Sequence, residues 1–142
     1  VVIGADFVQR HTFSFQPVMV GLPYALLVTN LLYINQFPDR KADAVAEKRH
    51  LVVMLPVKYA VLIYPLLAIS AGAWLVYFIL VGKLPILALV SILPLFFSGL
   101  ATWMLLQFAA SPAKLLPAIK LTLVAMLCHA LLLTLVMIWK MP

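Results

Sequence analysis

Four stretches of this chain carry no Asp, Glu, Lys or Arg: between His11 and Asp39, Lys58 and Lys83, Lys83 and Lys114, and Lys120 and Lys140. A helix needs about 20 mostly apolar residues to cross a hydrocarbon core of roughly 30 Å, and each stretch is that long or nearly so. With 66% hydrophobic residues and only 10% charged ones, the chain lies far from the composition of a water-soluble domain. Dyad alternation is absent and the runs exceed the length of barrel strands, which leaves helices that satisfy their backbone internally. The fold class expected is therefore an all-α membrane protein. Its spans are placed at Val18–Phe37, Tyr59–Val81, Leu84–Phe108 and Ala118–Trp139. An apolar stub at Val1–Val8 reads as the end of an earlier span, and residues 1–142 hold no separate soluble domain.

Prolines punctuate this scheme. Pro17, Pro56, Pro112 and Pro117 lie near expected helix ends, where a missing N–H does little harm. Pro23, Pro65, Pro85 and Pro94 fall inside or at the start of spans, where they should kink or loosen them. The single cysteine, Cys128, sits in an apolar run, so no intrachain disulfide and no cysteine-based metal site exist, and its expected role is packing.

Basic residues orient the chain. The connection between the first two spans holds Arg40, Lys41, Lys48, Arg49 and Lys58; the connection between the last two holds Lys114, with Lys120 at its edge. Arg10, Lys83 and Lys140 fall on the other side. This asymmetry puts the first set on the cytoplasmic face of a cell (inner) membrane. The formal charge of +6 then reflects topology and contact with anionic headgroups, and no nucleic-acid partner is expected.

Three of the four acidic residues, Asp39, Asp43 and Glu47, stand four apart in the first of these connections. On a helix they would drift by only about 80° and face one point, an unfavourable crowding unless a cation sits there. Mg²⁺ suits such a place, because it is typically held by one or two carboxylates together with phosphate oxygens and water. Lys48 and Arg49 would grip the same phosphates. The same pattern also describes a solvated, charged connection that only fixes topology.

The string Tyr33-Ile34-Asn35-Gln36-Phe37-Pro38-Asp39, then Ala42-Asp43, Lys48-Arg49 and Leu51-Val52-Val53, resembles the second aspartate-rich motif of the UbiA-type intramembrane prenyltransferases. Within that superfamily it is most similar to the 1,4-dihydroxy-2-naphthoate polyprenyltransferase branch of menaquinone (quinone) biosynthesis. Weaker echoes are Val8-Gln9 with Phe13-Ser14, and Leu116-Pro117-Ala118-Ile119-Lys120-Leu121-Thr122. The resemblance implies that the chain forms the C-terminal half of a bundle of about nine helices around a central cavity. It implies a transferase moving a prenyl group from a polyprenyl diphosphate to an aromatic acceptor, with Mg²⁺ as cofactor. Asp39 and Asp43 would be the metal carboxylates; Lys48, Arg49 and Asn35 would meet the diphosphate. The partners implied are the two substrates, membrane lipids and the N-terminal half of the bundle.

The chain departs from the family pattern at three places. Glu47 stands where the family has Gly, His50 where Thr or Asn is usual, and Pro56 where a Gly commonly follows the Leu. The first aspartate-rich motif is absent, since Asp6 is the one remaining acid, so the chain alone is expected to hold half a site and to be inactive.

Elsewhere, His129 mid-span is read as a neutral side chain bonded to a neighbouring helix, and Lys120 as reaching the interface. Trp74, Tyr77, Phe78, Trp103 and Phe108 are read as interfacial aromatics. Phe96 and Phe97, beside Ser98-Gly99, either line a groove for a prenyl chain or face lipid. Asp6 and Arg10 are expected to pair. Two other classes stand beside the enzyme: a small transporter subunit, which should carry an acid inside a span, and a non-catalytic scaffold whose acidic cluster binds partners.

Overall fold

The computed structural model describes residues 2–140, and every regular element among them is helical. Short α1 (Val2–Arg10) precedes the long α2 (Gln16–Val45); one-turn α3 (Leu51–Met54) leads into α4 (Val57–Leu80). A 3₁₀ segment (Ile86–Ile92) and α5 (Leu95–Phe108) make up the third span, and α6 (Leu116–Lys140) the fourth. Four helices are long and apolar enough to cross a membrane, and the chain is a multi-pass membrane protein.

The spans run alternately up and down. One buried cluster joins the end of α2 (Tyr33, Ile34, Phe37), the start of α4 (Ala60, Val61, Tyr64), the end of α5 (Ala101, Leu105), Leu115 just ahead of α6 and Ala118 in its first turn. A second, at the opposite end, joins Leu75, Phe78, Ile79, Leu84, Ala88, Leu133 and Val136, and a third lies between them around Leu27, Ala71 and Met126. The acidic connection and the Lys114 turn thus share one end of the bundle, as the basic-residue count expects. Only 28 to 33% of each span's most apolar stretch is buried inside the bundle. The remainder faces outward, as in the α6 stripe Leu123, Leu127, Leu131, Leu135, which only lipid would solvate without penalty.

The first span is longer than the sequence suggests. Pro38 does not end it, and α2 continues as helix through Asp39 and Asp43 to Val45. Its 30 residues measure roughly 45 Å at 1.5 Å per residue, well over the thickness of a hydrocarbon core, so its last turns stand proud of the apolar layer. The third span is broken at Leu93-Pro94, where a 3₁₀ segment gives way to α5.

Prolines leave backbone carbonyls without their usual donor, a costly gap in a membrane core. Here side chains from other elements close three of them. Pro23 has no N–H for the Met19 carbonyl, and the Trp74 indole donates to it at 3.2 Å. Pro94 has none for Ser91 in the 3₁₀ register, and His129 Nδ1 bonds that carbonyl at 2.7 Å. Pro56 has none for Val52, and Arg40 Nε donates there at 2.7 Å. Trp74 and Phe78 pack against one another at the end of the bundle opposite the acidic connection, and Phe15 joins them at ring distances of 6.5 and 5.9 Å. Trp74→Phe keeps the ring and removes the donor. It should cost about 1–3 kcal/mol, the penalty of a buried polar group left unpaired, read as a drop in unfolding free energy in detergent.

The Asp6–Arg10 pair forms at 2.9 Å, with Ser14 donating to the same carboxylate, and α1 itself buries no residue. Lys120 is exposed at the end of the bundle that carries the acidic connection.

Candidate diphosphate site at the end of α2

The helix places Asn35, Asp39 and Asp43 at successive four-residue steps on its final turns. The three side chains do different things. Asn35 is exposed and turns back on its own helix, its Nδ2 donating to the Leu31 carbonyl at 2.7 Å. Asp39 is exposed, on a face of α2 that also shows Ala25, Thr29, Leu32 and Ala42 and that no other described helix covers. Asp43 is buried, with 9% of its surface accessible.

What brings basic groups onto Asp43 is the way α2 stops. Glu47 takes a left-handed conformation with φ 55°. The amide of Lys48 then bonds the Asp43 carbonyl at 3.0 Å, and that of Glu47 bonds the Ala44 carbonyl at 3.2 Å. These two bonds define a Schellman stop, which ordinarily has glycine at the left-handed position. The end of α4 shows the same pattern with the usual residue: Gly82 has φ 70°, and Lys83 N–H bonds the Phe78 carbonyl at 2.9 Å. Glu47 therefore occupies a glycine position by conformation as well as by comparison with the motif. Glu47→Gly should stabilise the protein by about 1 kcal/mol, the relief of a left-handed non-glycine residue, measurable in an unfolding titration.

The reversal folds Lys48 and His50 back along the helix. Lys48 Nζ meets Asp43 Oδ1 at 2.6 Å, and His50 Nε2 meets Asp43 Oδ2 at 3.0 Å. The hydrogen bond that Lys48 donates to Asp43, and then the Asp43 charge, hold the Lys48 pKa above the usual lysine value, with Asp39 adding a smaller push. A raised pKa of this kind lends stability below the ordinary lysine range and loses it as pH climbs through the raised value. With 59% of its side chain exposed, Lys48 lends little at neutral pH. Arg49 is exposed and stands outside this pair of contacts.

Arg40 fixes the other side of the turn. Besides Val52, its guanidinium reaches the Leu55 carbonyl at 3.2 Å through Nη2, so it caps the C-terminal end of α3 and fastens that helix under the last turns of α2. Sequence reasoning assigned no role to Arg40 and noted His50 only as a departure. The signal available for Arg40 was Pro56, four residues beyond a carbonyl that would need a donor; for His50 there was none, because its position depends on the direction of the Glu47 turn.

Among the described residues no three His, Cys, Asp or Glu side chains gather as a metal-ligand set. Two carboxylates nevertheless suffice for Mg²⁺ when phosphate oxygens and water complete the shell. The arrangement fits a cation at this spot, since the Lys48 ammonium already occupies it, bonded to Asp43 and within the field of Asp39. A divalent ion would reach Asp43 only by displacing that ammonium, which would then be free to turn toward phosphate.

A cleft of about 120 Å³ near this end is lined by Phe37, Pro38, Arg40, Lys41, Val57 and the Ala109–Pro112 turn, not by the two aspartates. The groove between α4 and α5 has Ser98 and Gly99 in its wall together with Pro65, Ala68, Ile69, Leu95 and Thr102; Phe96 and Phe97 are not among its lining residues. No protein-family model matches the chain, and no curated protein or solved structure matches it either.

Proposed function

We propose that this chain is the C-terminal part of a Mg²⁺-dependent intramembrane prenyltransferase, acting on a polyprenyl diphosphate and an aromatic acceptor of the 1,4-dihydroxy-2-naphthoate type. The observation that carries the reading is the left-handed turn at Glu47, which folds Lys48 onto the Asp43 carboxylate beside Asp39 at the end of a membrane helix. A carboxylate pair with a mobile ammonium can take a metal–diphosphate in place of the internal ion pair. Mg²⁺, when bound, would neutralise the charge that grows on diphosphate as the allylic C–O bond breaks.

The chain's own residues supply the rest. Asp39 and Asp43 hold the cation, and Lys48, once released, and Arg49 donate to phosphate oxygens. Asn35, whose Nδ2 keeps a second proton beside its bond to Leu31, donates to phosphate from one turn further down. The uncovered face of α2 that bears Asn35 and Asp39 is where the remaining helices of a nine-helix bundle would close a dry chamber, with the motif on the cytoplasmic side. The acceptor's ring carbon forms the new C–C bond there and loses its proton to the diphosphate released when the allylic C–O bond breaks.

A second reading is favoured by one fact. Both oxygens of Asp43 are already satisfied, by Lys48 and His50, so this carboxylate needs no ligand and fits a non-catalytic scaffold. A transfer assay on the full-length protein in membranes separates the two. Prenylated product that requires divalent metal supports the enzyme; product that persists with metal chelated overturns the Mg²⁺ mechanism, and no product from any allylic diphosphate supports the scaffold.

A further inference from the structure

Between the inner apolar cluster and the middle one, each span contributes one fully buried polar side chain: Asn30 from α2, Tyr64 from α4, Ser98 from α5 and Thr122 from α6, at 0, 0, 1 and 2% exposure. Their place follows from the clusters. Asn30 stands one turn from both Leu27 and Ile34, Thr122 one turn from both Ala118 and Met126, and Ser98 one turn from both Leu95 and Ala101.

Half of this layer is self-satisfied. Thr122 Oγ1 donates to the Ala118 carbonyl at 2.9 Å, so its single proton is used, and the Tyr64 hydroxyl must donate to Thr122 Oγ1 at 2.6 Å. Tyr64 Oη is left with acceptor capacity and no proton to give. The other half is not satisfied. Neither Asn30 Nδ2 nor Oδ1 has a partner, and Ser98 Oγ lies beside the Tyr64 hydroxyl without meeting hydrogen-bond geometry. Pro65, one residue past Tyr64, withholds its donor from the buried Val61 carbonyl.

The layer therefore presents two amide donors on Asn30, an amide acceptor, a free hydroxyl, a phenol oxygen and a proline-released carbonyl, all within an apolar surround. Each such group left unpaired costs about 1–3 kcal/mol, and an internal water is the smallest guest that both donates and accepts. We propose that Asn30, Tyr64 and Ser98 hold ordered water inside the bundle, at the level where Pro65 interrupts α4. The groove of about 260 Å³ between α4 and α5, which Ser98 and Pro65 both line, gives a small molecule a way to that level.

Pulsed hydroxyl-radical labelling of the intact protein in nanodiscs tests this, because radicals made from bound water modify buried rings beside it. Tyr64 should be labelled severalfold faster than Phe37, which is equally inaccessible, at 2% exposure, but sits in the apolar cluster. Asn30→Leu should slow Tyr64 labelling and lower thermal stability, since it removes a satisfied amide. The proposal is overturned if Tyr64 is as inert as Phe37, or if Asn30→Leu raises stability, as deletion of an unpaired amide would. The wild-type labelling ratio decides the matter even if the variant does not fold.

Discussion

Asp43→Asn in the full-length protein is expected to lower prenyl transfer by roughly 10²–10³-fold, the scale of losing one preorganised electrostatic contact to a developing anion. Asn keeps the size and hydrogen-bonding reach of Asp43 but removes the charge that holds the Lys48 ammonium and that, in the proposed enzyme, would hold the metal. Asp39→Asn should lose a comparable amount for a different reason. Asp39 is exposed and makes no bond that shapes the turn, so its loss leaves the fold untouched and strikes only cation binding. The contrast between the two is the useful result. Asp43→Asn should also loosen the turn at Lys48 and His50, visible as faster amide exchange over residues 46–50, whereas Asp39→Asn should leave that exchange unchanged. Normal transfer in both variants would overturn the assignment of these two carboxylates to the site.

Arg40→Met should be the most damaging substitution for local structure. The guanidinium makes two charge-assisted bonds, to the carbonyls of Val52 and Leu55, and one of these lies where Pro56 offers no donor. Charge-assisted bonds contribute about 1.5–3 kcal/mol each, and the acceptors would be left partly buried, so a loss of about 3 kcal/mol is expected. α3 is one turn long and has no helical stability of its own, so the loss should appear as release of residues 51–55 rather than as a uniform decline. Hydrogen exchange across that segment, compared with the middle of α4, checks this. Arg40→Lys should rescue little, because a single ammonium cannot match the fork that spans both carbonyls. Activity should fall with it, since α3 carries His50 at its N-terminal side and so steadies the turn that presents Lys48.

Much of this architecture was readable before any coordinates. Stretches free of charge mark the spans because water is the only solvent a lone charge tolerates cheaply, and α4 and α6 begin and end within two residues of where those stretches place them. The end of α2 was not readable. Pro38 and the charges after it suggest a connection, but a proline costs a helix only one bond, and the segment past the apolar core has water to offset the rest. The bond made by Trp74 was hidden for a similar reason. Trp74 at a membrane edge reads as an anchor, while the nearby carbonyl that Pro23 sets free gives it an internal partner that only packing reveals.

For the site, the acidic spacing drew attention to Asp39, Asp43 and Glu47, with Lys48 and Arg49 named beside them. The direction of the chain after Val45 depends on one dihedral angle, at Glu47, and with it the partnership of Asp43 with His50. A glutamate at that position carries no left-handed signal in sequence; only the comparison with a motif that has glycine there hints at it. His129 fared better. Read as a neutral, bonded side chain, it is buried and bonds the carbonyl that Pro94 releases, which explains why a polar ring is kept at that depth.

The central claim is that Asp39 and Asp43 jointly hold a divalent ion on a diphosphate. Electron paramagnetic resonance of Mn²⁺, substituted for Mg²⁺ in the full-length protein with a non-hydrolysable prenyl diphosphate analogue, addresses it directly. Bound Mn²⁺ with phosphorus hyperfine coupling, abolished by Asp39→Asn and by Asp43→Asn, is the predicted result. A signal of equal strength in both variants, or no bound Mn²⁺ in the wild type at saturating analogue, would contradict it.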